Sequence, residues 1–421
     1  MTNSNSKLLH SYFKLPDVTH LKPCLLYMAL FPEDHKIPVV DLLKLWMAEE
    51  FVLNVETENM EEASRNCLSD LLNRSLVMVS GMRINGDVEY CSLHDVVHHP
   101  DYQLDKFPML DFKETNSLEF IAHLKLNTWN NQYWNPLDLL VKLRFVRALH
   151  LMDVALPDSW ATAMQSLTEL RYLVLHVRQF ELEWISHIHN LQTLQLKSSK
   201  NIRLRAATLW ELKKLRHVNI DSFPVVWEDI NDEECSTSML ENMKSFGTCD
   251  IRLDNMNARL WWRFPNLEEL GLQVEDEPKF PLFPVPEVHT RLHSVSLKFS
   301  LMKVFSSVGW EKYFVFPSNL RHLNFSGCVL TEETVLNIAR LKKLESLKLF
   351  VGFPYGRLQR FRSCSWDVTN VEFPALKYLT LQSVMMKEWK ASEESFPVLE
   401  KLVIRGGFIK EIPPSLRIFQ H

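Results

Sequence analysis

The chain has 421 residues, with 47 Lys and Arg against 52 Asp and Glu, for a formal net charge of −5. Hydrophobic residues make up 46% and charged residues 24%, a balance that fits folded domains and excludes a disordered chain. The charge excludes a generally basic, nucleic-acid-coating protein, and the length exceeds what one compact core holds.

The N-terminal stretch to Asp17 has no apolar core of a secretory signal, and no run reaches the ~18 apolar residues of a membrane span. Seven cysteines stand at least 14 residues apart with no CxxC pair, so a zinc ribbon is not expected and the thiols read as reduced and mostly buried. A soluble, cytoplasmic chain is the expectation.

Residues 21–31 are almost entirely apolar and stop at Pro32-Glu33-Asp34, which predicts a buried helix ending in a proline turn. Pro38 suits the first turn of a second helix, whose apolar positions Val39, Leu42, Leu43, Trp46, Met47 and Phe51 recur at helical spacing. A third helix is predicted from about Asn59 to Leu76, with acids in its first half where the helix dipole favours them. Val77-Met78-Val79 and Val88-Glu89-Tyr90-Cys91 flank an Asn85-Gly86 step and predict a hairpin. Three helices and a hairpin make a winged helix. Residues 1–110 carry nine basic and 16 acidic residues, and the third helix offers only Arg65 and Arg74. That field repels phosphates, so a packing module is favoured over a DNA reader.

Beyond residue 115 the pattern apolar-x-x-apolar-x-x-apolar-x-apolar recurs twelve times, beginning with Leu118-Ile121-Leu124-Leu126. The steps between third positions run from 21 to 32 residues and average just over 25, the period of a leucine-rich repeat. The weakest fit, Met243-Phe246-Cys249-Ile251, places its third position at Cys249. Such coils bury their leucines only against their neighbours. The fold class expected is mixed: an N-terminal winged helix over 1–100, a linker over 101–115 and an irregular α/β solenoid over 116–421. Strand alternation sends the residues flanking each anchor to the concave face. In the last five units these include Lys298, His322, Lys348, Phe350, Tyr378, Lys401 and Arg405, with four formal cations and no acid among fifteen positions. A soluble face explains them; so does a surface for an acidic patch on a partner.

Neither GxxxxGK[ST] nor GxGxxG occurs. His94 and His98 share a helical spacing, but no third ligand accompanies them and Pro100 follows at once, so no metal site is expected. Neither GxSxG nor HExxH occurs, and an enzyme is not expected.

Four segments in order, CLLYMALFPED from Cys24, IPVVDLLKLWMAEEFV from Ile37, LLNRSLVMV from Leu71 and SLHDVV from Ser92, resemble the winged-helix region of plant coiled-coil nucleotide-binding leucine-rich-repeat disease resistance proteins, the late-blight-resistance type of nightshades. The resemblance continues through the repeats and implies a pathogen sensor held off by ADP and switched on by ATP. The family's Met-His-Asp motif falls on Leu93-His94-Asp95, which makes His94 a sensor of the nucleotide's β-phosphate and Asp95 its structural neighbour. An imidazole N–H can donate to a phosphate oxygen; capping or packing the following helix is the alternative role. The coiled coil and P-loop domain that precede the winged helix in the family are absent here, which suggests a truncated or internally deleted receptor binding no nucleotide alone. The partners implied are a pathogen effector or guarded host protein, and nucleotide-binding and coiled-coil domains in cis or trans. Two other classes fit parts of the chain: a leucine-rich-repeat substrate adaptor of a ubiquitin ligase, and a winged-helix DNA-binding protein.

Overall fold

A computed structural model describes residues 21–32, 34–52, 59–94, 123–127, 145–154, 164–177, 182–198, 204–221, 225–226, 239–251, 262–274, 289–299, 316–327, 332–350 and 364–419. The chain divides into two compact units, one of Met1–Leu151 with Ser166–Val174, the other of Met152–Gln165 with Leu175–His421. The linker expected at 101–115 lies outside the described residues.

The described residues of the first unit start with three helices, α1 (Leu21–Met28), α2 (Val39–Ala48) and α3 (Met60–Asn73). Asn59 caps α3, its side chain accepting from the Glu61 N–H at 3.3 Å, with Glu61 and Glu62 in the first turn where the dipole stabilises them. The helix stops three residues short of the expected Leu76. The Ser75 N–H donates to Leu72 O and the Leu76 N–H to Leu71 O, a Schellman closure with Ser75 left-handed at φ +59°. α2 closes the same way: Glu50 takes φ +59°, its N–H donates to Met47 O, and the Phe51 N–H donates to Trp46 O.

Three strands complete a winged helix: β1 (Ile37–Pro38), β2 (Val77–Met82) and β3 (Val88–Leu93), in sheet order β1-β3-β2, all antiparallel. Pro38 is thus not in the first turn of α2. It lies opposite Tyr90 on an edge strand, where its missing N–H costs no ladder bond. The hairpin tip turns on Arg83–Gly86, with the Gly86 N–H donating to Arg83 O and Gly86 at φ +85°. Leu25, Met28, Leu42, Trp46, Leu71, Val77 and Cys91 form the core. Burial pushes the Cys24 and Cys91 thiols up, Cys91 to about 12, so both stay protonated and unreactive.

The repeats begin with strands β4 (His123–Asn127), β5 (Ala148–Val154) and β6 (Tyr172–Val177). Among the described residues of the second unit the main sheet has nine parallel strands: β7 (Thr193–Ser198), β8 (His217–Asp221), β9 (Ser245–Ile251), β10 (Glu269–Val274), β11 (Ser294–Phe299), β12 (His322–Ser326), β13 (Ser346–Phe350), β14 (Tyr378–Gln382) and β15 (Lys401–Arg405). Each pairs with the next. Leu194, Val218, Phe246, Leu270, Val295, Leu323, Leu347, Leu379 and Leu402 form one continuous buried row across them.

Phe246, and not Cys249, therefore holds the third position of the weakest repeat. Between Phe246 and Cys249 the strand bulges, so that Cys249 pairs with Leu272 while Phe246 pairs with Leu270. One extra residue restores the register, and the true anchors are Leu240, Met243 and Phe246, all buried.

A recurrent asparagine joins the coils. Asn242 Nδ2 donates to Lys213 O and Asn266 Nδ2 to Glu241 O, both at 2.9 Å, and Asn319 Nδ2 to Thr290 O. In each coil the asparagine immediately precedes the second buried anchor (Met243, Leu267, Leu320), and its acceptor lies two residues before that anchor in the preceding coil. In the last coils a second parallel sheet forms from Cys364–Asp367, Met385–Lys390 and Phe408–Ile409. Trp366 pairs with Trp389 in register, and their rings stack at 5.3 Å.

Candidate functional site

The Leu93-His94-Asp95 motif sits where the hairpin ends. Leu93 is the last residue of β3, paired with Val77 and 4% exposed in the core. The His94 N–H donates to Leu76 O at 3.2 Å, so the backbone is held at the C-terminal end of α3, and the side chain is half-buried. Asp95, His98 and His99 lie outside the described residues. Among the described residues no cluster of three His, Cys, Asp or Glu could hold a metal ion.

The seven expected concave residues fall on three rows of the second unit's sheet. His322, Tyr378 and Lys401 share the row that starts the strands; Lys348 lies in the middle row; Lys298, Phe350 and Arg405 share the row that ends them. Lys298, Lys348 and Arg405 are exposed, and His322, Phe350, Tyr378 and Lys401 are half-buried. Ser296, Asn324 and Thr380 fill the middle row around Lys348, giving hydroxyl and amide groups between the cations.

Sequence reading missed the residue positions just before each strand. There the charges neutralise one another: Lys244 with Glu268, Arg321 with Glu345 at 3.5 Å, and Lys377 with Glu400 at 3.6 Å. None of Lys298, Lys348, Lys401 and Arg405 forms an ion pair with a described residue. The periodicity contained this signal, because Arg321, Glu345, Lys377 and Glu400 each stand two residues before a third-position leucine.

A second missed cluster lies in the first unit, where residues 148 and 172 of the repeats join the winged-helix core through Ala148 and Tyr172. Arg147 Nη1 donates to Glu49 O at 3.1 Å, and Arg171 Nη1 pairs with Glu50 Oε1. Glu49 itself is 3% exposed, and its Oε1 has no hydrogen-bond partner. Nothing in the spacing of Glu49-Glu50 distinguishes them from an ordinary solvated helix end.

Residues 30–99 match the family model described as the disease resistance protein winged helix domain. The chain is 30% identical over 420 residues to late blight resistance protein homolog R1B-16 of Solanum demissum, an alignment covering 90% of this chain and 31% of that protein. It is 30% identical to homolog R1B-8, covering 89% and 33%, and 28% identical to late blight resistance protein R1-A, covering 88% and 31%, both also of Solanum demissum. The chain therefore spans about a third of the length of these curated relatives. It carries the winged helix of disease resistance proteins, and from that domain through the repeats it resembles late blight resistance proteins.

Proposed function

We propose that this chain is the winged-helix and leucine-rich-repeat part of an intracellular plant disease resistance receptor. In this reading the repeats recognise a partner protein and restrain the receptor, and the winged helix forms one wall of an ADP/ATP switch. Nucleotide-binding and coiled-coil domains complete that switch in cis or in trans. The observation that carries the reading is the similarity itself, which runs through both regions in one order over 90% of the chain. The chain acts by contact and not by catalysis, and its place is the cytoplasm; among the described residues no helix is long and apolar enough to cross a membrane.

His94 is the residue we assign to nucleotide sensing, because β3 and the end of α3 fix its backbone while its ring stays half-buried. The concave face of β11 to β15 is the recognition surface we assign, for an effector or guarded host protein that presents acidic side chains. Among the described residues its cations have no acid to pair with, and a carboxylate on a partner supplies the missing charge.

The test is co-expression with the nucleotide-binding region of an intact receptor of the proposed kind in the presence of ADP, alongside His94→Ala. Association that weakens on losing His94 supports the switch role; a folded chain that never associates overturns it. For the recognition face, Lys348→Glu with Lys401→Glu and Arg405→Glu is expected to lower affinity for a captured partner at least tenfold, with the loss shrinking at high salt. An affinity unchanged by triple charge reversal removes that surface from the reading.

A further inference from the structure

The first unit buries a carboxylic acid at a joint between two kinds of structure. Glu49 ends α2, next to Glu50 in a left-handed conformation that glycine normally fills at a Schellman closure. A glutamate kept at that position strains the backbone. What it gains here is specific: Glu50 Oε1 pairs with Arg171 Nη1, and Glu50 Oε2 lies 3.9 Å from Arg147 Nη2. Arg147 also donates to the Glu49 carbonyl, and the Arg147 carbonyl accepts from the Arg171 and Tyr172 N–H groups at 2.8 and 2.9 Å. Ala148 and Tyr172 lie in one apolar cluster with Tyr27, Trp46 and Leu71 of the winged helix. The start of the repeats is thus clasped by the end of α2.

We propose that Glu49 is a proton-sensitive latch of this joint: the clasp is tightest with its carboxyl protonated, and ionisation of that carboxyl loosens it. The groups facing Glu49 are Arg147 and Arg171 from the repeat segments, Glu50 beside it and Tyr27 from α1. Both arginines favour the carboxylate, yet Arg171 is engaged by Glu50 and Arg147 is bonded to the main chain. Burial outweighs them and pushes Glu49 from 4.5 up to about 7, with the Glu50 carboxylate adding to the rise.

The direction of the effect follows from linkage. When the joint opens, Glu49 is hydrated and titrates near 4.5; when it is closed, it titrates near 7. The closed form binds the extra proton between these values. Its advantage is complete below 4.5 and is lost as pH rises through 7, with a ceiling of about 300-fold in the closing equilibrium.

The Arg171 and Tyr172 amides bond to Arg147 O within the repeat segments, so they report opening through the loosening of the segments that carry both arginines. Their hydrogen-exchange protection, corrected for the intrinsic pH dependence of exchange, is expected to fall several tens-fold between pH 5 and pH 8 in the full chain. In Glu49→Gln it should stay flat. In Glu50→Gln it should drop at every pH and its slope should shrink, because that change removes the arginine pair, frees Arg171 for Glu49 and takes away the neighbouring charge. Protection in the unmodified chain that is constant or rises with pH overturns the proposal without recourse to any variant, and so does a slope that survives in Glu49→Gln.

Discussion

Leu323→Ala tests the register of the repeats at a buried anchor held between two paired strands. Leu323 is 2% exposed on β12, flanked in the buried row by Val295 and Leu347. On the same strand Phe325 lies 6.3 Å from the Phe299 ring and 5.9 Å from that of Phe316. Truncation removes three carbon groups, about 2.4 kcal/mol of transfer free energy at ~0.8 kcal/mol each. Hydrogen bonds to both neighbouring strands hold the backbone, so collapse into the gap is limited and a cavity term adds to the loss. The total is about 3–4 kcal/mol, inside the usual range for buried leucine. Because each coil contacts only its neighbours, the loss is local. Amide exchange should accelerate on the order of 10²-fold in β11, β12 and β13 and change little in β7 and β8. Leu323→Asp should do more, since it buries a charge without a partner. Unchanged exchange in β12, or acceleration spread evenly over all nine strands, would refute this reasoning.

Two further substitutions separate other sources of stability. Asn266→Ala deletes the side-chain bond to Glu241 O and should lower the urea midpoint by an amount equivalent to about 1 kcal/mol. Asn266→Asp should cost at least as much, since a carboxylate cannot donate to that carbonyl; a neutral result for both would show the asparagine recurrence to be incidental. Gly407→Ala would place a Cβ 2.3 Å from Val384 O at a φ of +82°. It should cost well over 2 kcal/mol, against ~1 kcal/mol for Gly86→Ala, whose φ is +85° but whose Cβ meets open space. Equal melting temperatures for the two variants would contradict the close approach.

The winged helix and the solenoid were legible because both rest on long apolar periodicities, and the anchors from Leu292 to Leu402 follow the template without interruption. The readings failed where geometry depends on single residues. Pro38 fits the first turn of a helix and an edge strand equally well by sequence; its pairing with Tyr90 decides the matter. Gly247-Thr248 shifts the register by one residue, and a fixed template then selects Cys249 over Phe246. The Trp366–Trp389 stack joins two short strands about one coil apart, too brief for any alternation to emerge. Of the candidate site, the strand register of the seven surface candidates was legible because strand period fixes which residues share a row. The Glu49–Glu50 latch was not, because its arginine partners lie roughly a hundred residues away and only folding brings them near.

The distribution of charge on the second unit gives the concave face a field that net charge conceals. Along the row before the strands, Lys244, Arg321 and Lys377 each find an acid on the next coil, so that row is nearly neutral beyond the ~8 Å screening length at physiological salt. Among the described residues Lys298, Lys348, Lys401 and Arg405 have no such partner; they stand on β11, β13 and β15, every second strand, ~10 Å apart across the sheet at the ~4.8 Å spacing of paired strands, with Lys401 and Arg405 at opposite ends of β15. Their fields overlap only close to the face. An acidic partner therefore gains little from steering at a distance and much from contact, and charge reversal should act chiefly on the rate of dissociation. Tyr378 adds to this geometry: its hydroxyl donates to Glu400 Oε2 at 2.9 Å, which fixes the ring on the face beside Lys401. A half-buried ring held in place loses little freedom on binding, so on the proposed recognition face Tyr378 and Phe350 would supply the apolar contact that four cations alone cannot.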